Sequence, residues 1–345
     1  MKILRYPESC KAEIVEVPTP EPTGNLILSK SLYCNISAGT EMGFYRGTAP
    51  QMNYEIEPGW FFKEKPGNIK FPMQSDGEGV WWMGYANVSE VLETGPDVTK
   101  FRPGDIIFSQ VGHKSHQIIP ESAAIKLPPG TNPEHAALTA LVEIAFNGIL
   151  DAGIRLMDWV AVFGLGTLGQ LLVQMSKLSS AKVIAVDGLK KRMNLATKGG
   201  ADFIVDFTKK DPGQKIYELT KDRGADVVFE VSGNVKALSD AIRAAAYNGK
   251  VTVLSFYQDP AASLKLGNEY HHKRIKLQCS QILGIHPPLS NTWGMERRRE
   301  AALELVNILD IESLISHRFD FEQAPEAFQL IDKKPEECNA IILKY

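Results

Sequence analysis

The sequence predicts an α/β chain of two domains, a β-rich domain followed by a doubly wound parallel sheet. Three observations carry this expectation. Residues 158–169, Asp-Trp-Val-Ala-Val-Phe-Gly-Leu-Gly-Thr-Leu-Gly, and the run 183–187, Val-Ile-Ala-Val-Asp, follow the order strand, glycine turn, helix, strand, acid. From residue 132 to about 280, apolar strands alternate with helical segments. Residues 1 to about 120 instead break into short strands separated by Pro and Gly. A chain of 345 residues is long enough for two cores.

Taken in order, the β-rich part has strand-like runs at 1–4, 11–17, 25–32, 86–93, 105–108 and 115–119, consistent with a partly open barrel. The interval 45–80 holds Pro50, Pro58, Pro66, Pro72 and the triplet Trp60-Phe61-Phe62. It reads as a long irregular loop, a candidate lid or substrate wall, with disorder as the competing reading. Pro133-Glu134-His135-Ala136 looks like the first turn of a helix running to about Ala152. Strands follow at 159–163, 182–186, 203–206, 225–230, 250–254 and 275–280, with helices between them that include 215–223 and 236–246. Helices at 297–308 and 325–331 and a strand at 339–343 close the chain. That strand has no place in a completed sheet and is expected to return to the β-rich domain. The expected division is 1–123 with 290–345, and 124–289.

The glycine unit carries the most chemistry. Gly164 allows the tight turn, Gly166 lets the backbone approach a pyrophosphate at a helix N-terminus, and Gly169 lets helix and strand pack closely. Asp187, 18 residues beyond Gly169, ends the second strand where a carboxylate accepts hydrogen bonds from both ribose hydroxyls of the adenosine. It would repel the phosphate of NADP, and Gly188 offers no side chain to hold one, so NAD is the expected cofactor. Lys190, Lys191 and Arg192 are the counter-argument, although Arg192 equally suits a place against the adenine. The residues expected to hold NAD are Gly164, Gly166, Thr167, Leu168, Gly169, Asp187, Arg192, Ser232 and Ser255.

Bulk properties exclude several classes. A 44% hydrophobic and 23% charged composition is that of a soluble globular chain. The net charge of −3 gives no reason to expect nucleic acid or an anionic membrane as partner. No stretch approaches the roughly 20 apolar residues that span a bilayer, and the first residues lack the apolar core of a signal peptide, so a cytoplasmic location is expected. Cys10, Cys34, Cys279 and Cys338 are scattered without a Cys-x-x-Cys pair, which suits unpaired thiols and no structural zinc lobe.

With these elements in order, the chain resembles the medium-chain dehydrogenase/reductase superfamily over nearly its whole length. The motifs are Ser37-Ala-Gly-Thr40-Glu41, Phe101-Arg-Pro-Gly-Asp105, Gly164-Leu-Gly-Thr-Leu-Gly169, Gly224-Ala-Asp-Val-Val-Phe-Glu-Val-Ser232-Gly233 and the run from His317 to Phe328. The resemblance implies a GroES-like catalytic domain, a Rossmann domain and hydride transfer at the cleft between them. It also implies a homodimer or homotetramer. Ser37 to Glu41 and Cys279-Ser280-Gln281 look most like the branch containing bacteriochlorophyllide dehydrogenase.

The departures bear on mechanism. Where zinc alcohol dehydrogenases carry a cysteine, this chain has Ala38; the Gly-His-Glu place reads Gly84-Tyr85-Ala86; the third ligand place falls near Thr139 or Ala140. Zinc needs about three protein donors, so a metal-free site is expected, with a substitute ligand set from His113, His116, Glu41 and Glu143 as the competing reading. Three residues are the catalytic candidates. Thr40 matches the family's proton-relaying hydroxyl, or is a turn hydroxyl. Tyr85 could donate to a substrate oxygen, or is packed wall. Glu143, alone in an apolar helix, would have its pKa raised by partial burial and exchange a proton with substrate, or else is simply hydrogen-bonded. The expected activity is NAD-dependent, zinc-independent oxidation of a secondary hydroxyl on a small polyol, cyclitol or sugar, or reduction of the matching ketone. A quinone or enone reductase and a non-catalytic NAD-binding protein are the rivals.

Overall fold

The computed structural model describes residues 1–75, 83–258 and 260–345. The chain packs as two compact units, Met1–Ala140 with Ile315–Tyr345, and Leu141–Leu314. The boundaries differ from the expected ones for two reasons. Residues 124–126 pair with the strand Ile106–Ser109 of the first unit, and the helix around Arg298 is tied to Glu143 and Asn147 in the second.

In the first unit, β1 (Lys2–Tyr6), β2 (Glu13–Glu16) and β3 (Leu26–Asn35) precede helix α1 (Ala38–Arg46). A hairpin of β4 (Tyr54–Glu57) and β5 (Phe61–Glu64) and the short β6 (Met73–Gln74) follow. This hairpin lies inside the interval expected to be irregular; residues 76–80 of that interval lie outside the described residues. Then come β7 (Asn87–Thr94), β8 (Ile106–Ser109), β9 (His116–Pro120), β10 (Ala124–Lys126) and helix α2 (Pro133–Ala136), followed by α3 (Thr139–Ala152), which from Leu141 on belongs to the second unit. The single helix expected over 133–152 is thus two. Asn132 caps α2 through Glu134 N, with Pro133 in the first turn.

The second unit alternates β11 (Trp159–Phe163), α4 (Thr167–Leu178), β12 (Lys182–Asp187), α5 (Lys190–Lys198), β13 (Phe203–Asp206), α6 (Pro212–Leu219) and β14 (Ala225–Glu230). It continues with α7 (Val235–Ala244), β15 (Ala245–Val253), α8 (Glu269–His272), β16 (Lys276–Cys279) and α9 (Met295–Val306). All six strands are parallel in the order β13-β12-β11-β14-β15-β16, the doubly wound arrangement that reverses between β11 and β14. Strands covered by helices on both faces must be apolar throughout, and Val160, Ala161, Val162, Val183, Ile184 and Ala185 are all fully buried.

The chain ends with β17 (Ile315–Asp320), α10 (Ala324–Lys333) and β18 (Ala340–Lys344). As expected, the last strand joins the first unit, antiparallel to β3 and parallel to β17. The main sheet there runs β10-β8-β7-β3-β18-β17, with β9 also on β3. Among the described residues, no helix is long and apolar enough to cross a membrane.

Candidate active site and dinucleotide cradle

The turn between β11 and α4 lies at the carboxyl end of β11, beside the point where the strand order reverses. Each glycine there is explained by what a side chain would meet. Gly164 has φ +93°, and a Cβ on it would lie 2.9 Å from Ser232. A Cβ on Gly169 would sit 1.9 Å from the Gly164 carbonyl oxygen, so only glycine lets α4 approach β11 this closely. Gly166 has nothing within 4 Å of the same position. It stands at the N-cap of α4, which no side chain caps, so the backbone there is not covered by a side chain of its own. Buried Gln170 braces the turn by donating to the carbonyls of Leu165 and Arg192.

Asp187 ends β12 with its carboxylate held by three backbone amides. Leu165 N donates to Oδ2 at 2.8 Å, and Gly188 N and Leu189 N donate to Oδ1 at 2.8 and 2.9 Å. This fixes a negative charge beside the glycine turn. The position after it is closed rather than open, because a Cβ on Gly188 would lie 2.8 Å from Phe207 and 2.9 Å from Thr208. The glycine turn and Asp187 therefore form a cradle that fits a nicotinamide dinucleotide.

Ser232 and Ser255, also expected at the cofactor, are engaged inward. Both hydroxyls donate to the fully buried Glu230 carboxylate, Ser255 at 2.5 Å, and the Tyr257 hydroxyl donates to it as well. Burial, followed by the facing Glu230, pushes the Tyr257 phenol far above its usual range. The sequence signal for this network was an acid at the end of an apolar strand followed two residues later by a serine.

In the first unit, Thr40 and Tyr85 come together. Tyr85 shares a hydrogen bond with Ser37 Oγ, and Thr40 lies within hydrogen-bonding reach of the same phenol. Burial pushes the Tyr85 phenol up, and its bonds to Ser37 and Thr40 pull it only partly back. Directly behind lies Glu41, fully buried, with Oε1 accepting from Ser37 N at 2.6 Å and Oε2 at 2.8 Å from His113 Nε2. His113 is itself fully buried; burial disfavours its charged form, but the Glu41 carboxylate outweighs this and holds His113 at about 10. Ser37 was not singled out as catalytic from the sequence, because the helix that follows it was not expected, and His113 was named as a conceivable metal donor.

Glu143 departs from the expected partial burial. Its carboxylate is fully buried and paired with Arg298 Nε at 3.0 Å, with Arg299 Nε at 3.7 Å. Burial raises Glu143 and the two arginines oppose that rise. Arg298 further donates to Asn147 Oδ1 at 2.7 Å, Gly284 O at 2.8 Å and Ile282 O at 2.6 Å, fastening the segment after β16 to α3.

The substitute zinc set does not assemble. Glu41 and His113 meet each other, Glu143 lies in the second unit, and His116 Nδ1 is hydrogen-bonded to Ser115. Among the described residues, no three His, Cys, Asp or Glu side chains converge to hold a metal. Among the cysteines, Cys34 and Cys338 are buried, Cys10 and Cys279 exposed, and none of the four is in a disulfide.

Comparisons with known proteins bear on this geometry. Residues 167–293 match the family described as zinc-binding dehydrogenase. The chain is 31% identical over 308 residues to the D-guloside 3-dehydrogenase of Escherichia coli K12, covering 87% of each. Its fold is similar to the 2R,3R-butanediol dehydrogenase of Bacillus subtilis, with a TM-score of 0.80 at 22% identity over 100% of this chain and 99% of that one. A short chain alcohol dehydrogenase from Escherichia coli CFT073, solved with NADH, is similar at a TM-score of 0.79 and 18% identity over the same shares.

Proposed function

As the chain belongs to the medium-chain, zinc-binding-type dehydrogenase family and is an oxidoreductase, we propose that it oxidises a secondary hydroxyl of a polyol, cyclitol or sugar, or reduces the matching ketone, using NAD and no zinc. The observation that carries this reading is the Ser37–Tyr85–Thr40 hydroxyl cluster, in which Tyr85 stands at one place where the resemblance implies a zinc ligand and Ser37 and Thr40 flank another, Ala38. The relative named as a 3-dehydrogenase of a guloside supports a secondary carbinol on a sugar. Placement beside the bacteriochlorophyllide dehydrogenase branch rests on the residues 37–41 and 279–281 alone.

When bound, the dinucleotide supplies the hydride acceptor. Gly164, Gly166 and the first turn of α4 would hold its pyrophosphate, and Asp187 its adenosine ribose. The NAD preference rests on Asp187, whose fixed charge opposes a ribose phosphate, and on the filled space beside Gly188; the fold itself does not choose between NAD and NADP.

The proton is left to the hydroxyl cluster. Tyr85, raised by burial, is a neutral phenol at pH 7 and acts as a donor to the substrate oxygen. In oxidation the substrate hydroxyl proton passes through Thr40 and Tyr85 by exchange between neighbouring hydroxyls and leaves to water. Glu143 enters this reading as an anchor for Arg298 rather than as the base, because its carboxylate is already paired.

Elemental analysis of untagged protein, followed by NAD and NADP titration and a polyol, cyclitol and sugar panel, tests the proposal. The expected result is less than about a tenth of an equivalent of zinc, tighter NAD binding, and turnover of a secondary alcohol. Stoichiometric zinc would overturn the metal-free mechanism. NADP preference with enone reduction would move the chain to the reductases, and dinucleotide binding without any turnover would make it a binding protein.

A further inference from the structure

We propose that Glu41 and His113 are positioning residues, a buried ion pair that holds the first turn of α1 so that Ser37 presents its hydroxyl to Tyr85 instead of capping the helix. The proposal rests on the reading of Thr40 and Tyr85 as the proton-handling hydroxyls. Three observations support it.

First, Ser37 occupies the N-cap position of α1, where a serine side chain ordinarily accepts from an amide two or three residues on; here it makes no such bond. Its Oγ is joined to Tyr85.

Second, Glu41 takes over the helix start from the inside. Its Oε1 accepts the Ser37 N–H at 2.6 Å, while the Thr40 and Glu41 amides donate to the Ser37 carbonyl at 3.0 and 2.9 Å. Ser37, Thr40 and Glu41 thereby form one tightly bonded turn.

Third, a carboxylate and an imidazole 2.8 Å apart with no exposed surface are an expensive way to close a helix unless their geometry is needed. His113 is set on this carboxylate by the chain around it: its amide donates to Met83 O at 3.1 Å, and its carbonyl accepts from Leu4 N at 3.0 Å and Ser75 Oγ at 2.9 Å. Gly84, next to Tyr85, has φ +102° and passes so close that a Cβ would lie 2.8 Å from His113 Nε2. The same imidazole therefore bears on both the α1 turn and the backbone that carries Tyr85. Shifting it moves both hydroxyls at once.

The test uses the full-length protein with ¹³Cζ-labelled tyrosine, the Tyr85 resonance being assigned with Tyr85→Phe. Glu41→Ala and Glu41→Gln are compared with wild type by that resonance, by thermal unfolding, and by kcat and KM on whichever secondary alcohol wild type turns over. Glu41→Ala is expected to shift the Tyr85 signal and lower kcat by about 10- to 100-fold with KM for NAD unchanged. Glu41→Gln, which keeps an acceptor for Ser37 N, is expected to restore most of both. An unshifted Tyr85 signal and wild-type kcat in folded Glu41→Ala would overturn the proposal and leave the dehydrogenase reading intact. If Glu41→Ala does not fold, Glu41→Gln together with His113→Asn carries the same comparison. A wild type without alcohol turnover strikes the proposed function instead, and the Tyr85 signal then still decides whether the pair controls the hydroxyl.

Discussion

At the scale of single residues, the three glycines of the β11–α4 turn make separable predictions. Gly166→Ala adds a methyl where nothing lies within 4 Å, at an ordinary φ of −68°. It should fold with a Tm loss of no more than about 2–4 °C, a cost near 1 kcal/mol at a helix start. The backbone could no longer approach a pyrophosphate, so NAD affinity should fall at least about tenfold, read by titration calorimetry. Gly169→Ala should do the reverse in order of severity, since its Cβ would overlap the Gly164 carbonyl and the turn must open before any ligand arrives. Equal loss of stability in both variants would remove the distinction. These glycines and Asp187 were legible in the sequence because a motif ties each to one local conformation. The Glu41–His113 pair was not legible, because it joins α1 to a residue 72 positions away and no local pattern reports such a contact.

At the scale of elements, legibility followed how far each is determined locally. β11 and β14 have the bounds that their apolar runs predicted, since a strand buried on both faces is a largely apolar segment, and the edge strand β13 was found at its predicted bounds as well. Helix α1 was missed. It carries Gly39 and Gly43, and it is held by the Glu41–Ser37 bond and by burial of Met42, Phe44 and Tyr45 rather than by propensity. The β4–β5 hairpin was missed because all four residues of β5 are exposed, which leaves no alternation to read. Helix α3 was found, but the role of its buried acid Glu143 depended on α9. This yields a prediction about Glu143. Glu143→Gln leaves the Arg298 charge buried with only neutral acceptors, which should cost about 3 kcal/mol in urea unfolding. If Glu143 is an anchor, kcat at saturating NAD should stay within about threefold of wild type in the folded variant, whereas a general base would lose about 100-fold or more. The larger loss would return Glu143 to the catalytic set.

At the scale of the whole molecule, the buried pair makes stability depend on pH in a defined window. His113 has an unfolded value near 6.5 and is held at about 10 in the folded chain, where burial opposes its charge and Glu41 prevails. A group raised on folding contributes stability that is fully present below its unfolded value and is lost as pH rises through its folded value. The first unit should therefore be most strongly supported below about pH 6.5 and lose on the order of a few kcal/mol by pH 10. The groups that act on His113 are Glu41 on α1 and Cys34 on β3; Tyr6 on β1 and the terminal Tyr345 act on Glu41, and both phenols are pushed well above their usual range by burial. Those phenols therefore give up their protons above the window rather than in it. Lys250 and Lys273, lowered by burial in the second unit, act in the opposite sense near its upper end. The quantity to measure is therefore a difference. Calorimetric Tm from pH 6 to 10 should fall more steeply for wild type than for His113→Asn, which lacks the titrating group, and the two curves should converge toward pH 10. Parallel curves across the window would mean that the imidazole is uncharged in the folded protein, and the ion pair would have to be redrawn as a neutral hydrogen bond.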